Sequence, residues 1–204
     1  MLKLLVPVVA LCVSVVMAQT PASAPQAAST MRLRGTIEKV DAGTLVLKER
    51  SGEVLTLVFA DNFSVSEIVP IELAMVQPGS YIGTAAMPQP DGTLKALQVT
   101  VFPEAARGTG EGSYAWDLQP GSTMTNATVA DLVAAPQGRT LKLKYKDGEK
   151  TVVVPADVPV VTFKPGDRSL LVPGAKVQIT AQLRDGKPTA LRALAGRNGV
   201  APPM

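Results

Sequence analysis

Hydrophobic and polar residues alternate along much of this chain with the period of a β-strand. In TLKLKYK, residues 140–146, Leu141, Leu143 and Tyr145 share one face and Lys142, Lys144 and Lys146 the other. Such a strand is half-buried, and its lysines solvate the outer face. Related runs appear as RLRGTIEKV, TLVLKE, EVLTLVFA, SYIGTAAM and TLKALQVTVF, and again as TNATVADLV, RTLKLKY, EKTVVVP, AKVQITAQ and PTALRALA. Ser51–Gly52, Asp91–Gly92, Asp147–Gly148 and Asp185–Gly186 fall between such runs and mark hairpin turns.

The two sets of runs repeat each other. Residues 44–65 align without gaps on residues 140–161, with ten identities. Thr44, Leu45, Leu47, Lys48, Gly52, Glu53, Val58, Ala60, Asp61 and Val65 recur as Thr140, Leu141, Leu143, Lys144, Gly148, Glu149, Val154, Ala156, Asp157 and Val161. Downstream, Pro78–Gly79 recurs as Pro173–Gly174 and Ala96–Leu97 as Ala190–Leu191. This pattern predicts an all-β protein: two tandem five-stranded OB-like barrels from an internal duplication, residues 31–103 and 122–198, with the long connection between the third and fourth strands. A plain β-sandwich is the competing architecture.

Residues 104–121 lie between the copies and look unlike them. RGTGEG has the glycines of a phosphate loop, but neither a βαβ unit nor a GK[ST] accompanies it. An ordered Gly/Trp connector is expected. Gly108, Gly110 and Gly112 allow tight passage, and Tyr114, Trp116 and Leu118 alternate onto one side of an extended strip. Arg107, Glu111, Tyr114, Trp116 and Asp117 are the candidate ligand-binding residues, one wall of a groove between the copies. Asp61 and Asp157 follow a strand in each copy. Turn or cap chemistry is the expectation there, with a hard-cation site as the sharper alternative.

The termini set the compartment. Lys3 precedes an apolar run from Leu4 to Val16, and Val16 and Ala18 suit cleavage after Ala18. Residues 1–18 are therefore expected to be a signal peptide, with a cut after Ala24 or an uncleaved anchor as alternatives. Residues 19–30 are expected to be a flexible linker and 199–204 a tail. The mature chain is placed in the periplasm or outside the cell, with no membrane span after signal cleavage.

Composition narrows the chemistry. The chain has no His, and Cys12 is its only Cys. Cys/His zinc sites, haem ligation, Ser–His–Asp triads and, after cleavage, Cys nucleophiles are excluded. No cofactor and no metal are expected. Net charge is +3, or +2 without Lys3, and aromatics make up 4%. The basic residues are scattered, so no nucleic acid is expected as a partner.

The signal peptide, the paired "GTLVL…DG…A" modules and the "RGTGEG…WDL" stretch resemble a family of secreted proteobacterial proteins with paired OB-like domains of unknown function. Some members carry the automatic name "metal ABC transporter permease". The resemblance implies a secreted all-β protein, and at most an indirect link to metal uptake. A permease needs several spanning helices, and no suitable apolar segment follows residue 18. Relatives place a His after GEG where this chain has Ser113, so any role resting on that His is absent here.

A duplicated β-module without a catalytic constellation points to a non-catalytic binding or adaptor protein. Its expected ligand is an envelope protein, peptide or polymer. The alternatives are a carboxylate-dependent hydrolase using Glu111 and Asp117 across the inter-barrel cleft, and a Ca²⁺- or Mg²⁺-dependent structural module.

Overall fold

A computed structural model describes residues 30–135 and 138–202. The predicted signal peptide and almost all of the linker lie outside the described residues. So do the last two residues of the tail.

The described chain is all β, with three short 3-10 turns and no α-helix. The strands are β1 (Thr30–Val40), β2 (Thr44–Glu49), β3 (Val54–Pro70), β4 (Tyr81–Pro88), β5 (Leu94–Val101), β6 (Gly112–Ala115), β7 (Thr123–Ala135), β8 (Gly138–Tyr145), β9 (Gly148–Pro155), β10 (Val160–Pro165), β11 (Lys176–Arg184) and β12 (Lys187–Gly196). The predicted hairpins join β2 to β3, β4 to β5, β8 to β9 and β11 to β12. At the last of these, Asp185 and Gly186 have φ of 49° and 72°, the left-handed conformations of a type I′ turn.

A closed five-stranded barrel forms in the order β12–β11–β1–β2–β3, with β3 returning to β12 in parallel. Its core joins Ile37, Leu45, Leu47 and Leu57 to Val177, Ile179, Ala181 and Ala193. A second ring of pairings runs β5–β4–β7–β8–β9. There, β9 returns to β5 through Leu94↔Val152 and Lys95↔Val153. Its core joins Ile82, Ala86, Ala96 and Val99 to Val129, Leu141, Leu143 and Val152.

Neither core belongs to one sequence copy. The tandem expectation is one barrel within 31–103 and another within 122–198. The observed pairing differs: the hairpin β11–β12 completes the barrel begun by β1–β3, and β4–β5 joins the strands β7–β9. The physical reason is the path of β3. It runs unbroken for 17 residues, and its end, Ser66–Pro70, pairs with β10 and so leads across to the second ring before β4 begins. In the other copy the counterpart is split into β9 and β10 by a turn at Ala156–Asp157. Asp61 is thus an exposed residue inside a strand and not a turn residue, whereas Asp157 does lie in a turn.

Matched devices anchor these pairings. β1 bulges between Ile37 and Lys39, and β7 between Val129 and Asp131. Each bulge frees a backbone N–H and C=O, which the Pro–Gly turn of the opposite copy takes up. Gly174 N–H donates to Ile37 O at 2.8 Å and Ile37 N–H to Ala175 O at 2.9 Å. Gly79 N–H donates to Val129 O at 2.8 Å and Val129 N–H to Ser80 O at 2.8 Å. The recurring Ala–Leu pairs mark a second bulge, between Ala96 and Gln98 in β5 and between Ala190 and Arg192 in β12.

β10 bridges the two rings. It pairs antiparallel with β3, from Val161↔Pro70 to Pro165↔Ser66, and parallel with β5, from Val160↔Val99 to Thr162↔Val101. The rings therefore share one hydrogen-bonded sheet, and the space between them is walled by fixed strands.

Candidate functional site

The connector is ordered by both rings. Its strand β6 pairs with β7, from Gly112↔Asn126 to Ala115↔Thr123. Beyond β6 the chain closes into a compact turn. Trp116 N–H donates to Ser122 O at 2.8 Å, and the buried Ser122 hydroxyl donates toward Gln119 O at 2.7 Å and Trp116 O at 3.1 Å. Farther upstream, the Asn126 side-chain amide donates to the carbonyls of Thr109 (3.2 Å) and Gly110 (3.1 Å) and to the Tyr114 hydroxyl (3.1 Å). Gly110 has φ of 58°, and a Cβ there would sit 3.0 Å from Asn126 Nδ2, so this passage suits glycine.

Three arginines of the closed barrel grip the turn. Arg32 and Arg34 of β1 both reach Asp117 Oδ1, at 3.2 and 2.9 Å. Arg50 donates to the backbone oxygens of Asp117 (2.6 Å) and Leu118 (2.9 Å). The Arg32 guanidinium also lies 4.0 Å from the centroid of the Trp116 ring, a cation–π contact. Trp116 is consequently half-buried rather than sealed in an apolar seam, and its indole N–H is buried without a hydrogen-bond partner.

Partial burial pushes the Asp117 carboxyl up. The hydrogen bond from Arg34 and the charges of Arg34 and Arg32 outweigh this and hold it at about 2. Asp117 is a permanent anion at neutral pH, suited to orienting arginines and unsuited to donating a proton. Burial also raises the Tyr114 phenol, an effect that Arg32 opposes in part, so Tyr114 stays neutral.

A cavity of about 430 Å³ opens between the rings. Tyr114, Trp116 and Arg32 form one side, and Phe102 and Phe163 form an aromatic corner with centroids 5.8 Å apart. Gln98 and Arg192 enter from β5 and β12, each two residues past the alanine of its Ala–Leu bulge.

Of the five candidates, Tyr114 and Trp116 line this cavity. Asp117 stands behind it and fixes Arg32. Arg107 does not line it: it pairs with Glu104 at 2.6 Å and donates to Gly79 O at 3.0 Å. Glu111 does not line it either, because its Oε1 accepts from Lys146 N–H at 3.0 Å. Glu111 and Asp117 are thus committed to different partners. Among the described residues no three acidic, His or Cys groups cluster as a metal site would require.

Arg32, Arg34, Gln98 and Arg192 were not candidates from the sequence. The i, i+2 spacing of arginines in RLR was a usable signal, because it puts both side chains on one face of a strand. The Ala–Leu–polar triplets were another. Each places a polar residue at the same point of a β-rich repeat.

Comparison of the chain with family models, with curated proteins and with solved structures gives no match, so its functional reading rests on this geometry.

Proposed function

We propose that the mature chain is a non-catalytic binding or adaptor protein of the periplasm or the secreted fraction. It is built from two OB-like barrels of one duplicated module that have exchanged their C-terminal hairpins. Its ligand, a segment of an envelope protein, peptide or polymer, enters the cavity between the barrels.

The duplication reading is supported by the matched bulges and Pro–Gly contacts. The OB-like reading is supported by a strand order in each ring of first, second, third, fifth and fourth, with the third and fifth strands parallel. A binding role is carried by one observation: the cavity places Tyr114 and Trp116 beside arginine and amide groups on a rigid frame. The non-catalytic reading is supported by the lack of His and by an Asp117 fixed as an anion.

The test is a pull-down from envelope extract with the chain beginning at Gln19, run beside a cavity-filling variant, Thr100→Trp. The partner should be recovered by the wild type and lost by a Thr100→Trp protein that still melts cooperatively. Equal recovery by both proteins contradicts a ligand in this cavity.

A further inference from the structure

The groups that face the cavity are unequal in charge. Arg32 and Arg192 line it, and no Asp or Glu does. The charge of Arg32 is met by Asp117. Arg192 is exposed and makes no ion pair or side-chain hydrogen bond with a described residue. It is a free guanidinium at the mouth of a concave surface.

Gln98 occupies the equivalent position of the other copy. It is 6% exposed, yet its side-chain amide makes no hydrogen bond to a described residue. Gln98 lines the cavity, and its amide is committed to no other described group of the fold. Its NH₂ group is a donor available to whatever fills the cavity. Thr100 of β5 and Thr180 of β11 add hydroxyls to the lining. Among the apolar lining residues, Phe102 and Phe163 pack ring against ring with centroids 5.8 Å apart and offer flat faces.

We infer, resting on the binding-protein reading above, that the cavity takes a carboxylate joined to a flat apolar group, with Arg192 and Gln98 holding the carboxylate and the aromatic corner holding the flat group. One free guanidinium matches the single delocalised charge of a carboxylate, which its planar fork can grip in bidentate fashion. Amide and hydroxyl donors complete the ring of hydrogen bonds. Such a group arises either as a free aromatic acid or as the C-terminal aromatic residue of a peptide.

Calorimetric titration of the chain from Gln19 tests this with three probes: naphthoate, the neutral isostere naphthalenemethanol, and acetyl-glycyl-phenylalanine with a free carboxylate. Naphthoate is expected to bind roughly tenfold to a hundredfold more tightly than the alcohol, the range of a hydrogen bond to a charged group. Arg192→Gln should bring naphthoate down to the alcohol. Arg192 has no partner to lose, so that variant should melt as the wild type does. If the acetylated dipeptide outbinds naphthoate, the source is a peptide C-terminus, and the reverse order indicates a free acid. Alcohol binding as tight as naphthoate overturns the carboxylate assignment while leaving an apolar ligand in the cavity. No heat from any probe also overturns it, and the binding-protein reading is then decided separately by the extract experiment.

Discussion

The buried guanidinium of Arg34, 1% exposed, donates to the Asp117 carboxylate at 2.9 Å across the junction between β1 and the connector. A cation taken from water is tolerated only when paired, and Asp117 is the one carboxylate paired with it among the described residues. The pair fixes the turn that presents Trp116.

Asp117→Asn should destabilise the protein by about 1–3 kcal/mol, less than a fully buried pair because Asp117 itself is partly open to solvent. Urea unfolding measures this. Combining Asp117→Asn with Arg34→Met should recover part of the loss, since the stranded charge leaves with its partner. A double variant no better than Asp117→Asn alone contradicts the pairing.

The same pair makes stability depend on acid pH. The folded pKa of Asp117, about 2, lies below the ordinary 3.8, so the folded state favours the ionised form. The contribution is complete well above 3.8, shrinks as pH falls below it, and is gone once pH passes through about 2. The gap in urea midpoint between wild type and Asp117→Asn should therefore narrow as pH is lowered from neutrality through this window. A constant gap rules the linkage out.

Trp116→Ala should cost about 1–2 kcal/mol, below the roughly 3–5 of a fully buried aromatic, because the ring is half-buried and leans on Arg32. Trp116→Phe should cost less. As the only Trp, it should report a partly solvated environment in fluorescence. Emission typical of a fully apolar site would show that the Arg32 stack is absent.

The strands and their hairpins were legible in the alternation and in the turn residues. The pairing of β11–β12 with β1–β3, and of β4–β5 with β7–β9, was not, for a physical reason. β4–β5 and β11–β12 carry the same Pro–Gly turn and the same Ala–Leu bulge, so each fits either set of strands locally. The choice lies in the path of β3 through Ser64–Pro70, where no turn residue interrupts it. In the candidate site, Tyr114 and Trp116 stood out by composition. Arg192 and Gln98 did not, because their setting comes from strands distant in sequence.

Gly35→Ala should be strongly destabilising. A Cβ there would run into Lys48 O and lie 2.9 Å from Glu49 Cα, both backbone atoms of the paired strand. The strands must part, at about 1–3 kcal/mol or more. Wild-type thermal stability in Gly35→Ala would contradict the close pairing of β1 and β2.

The most direct test of the account is a cross-link between the copies. Thr36 and Lys176 are partners in the β1–β11 ladder, and Tyr81 is the counterpart of Lys176 in the first copy. In the chain from Gln19, which lacks Cys12, Thr36→Cys with Lys176→Cys should form an intrachain disulfide under mild oxidation, detected by peptide mass at monomer size. Thr36→Cys with Tyr81→Cys should stay reduced. A disulfide in the second pair and free thiols in the first would mean that each copy closes its own barrel, and would contradict the proposed exchange on which the cavity between the rings depends.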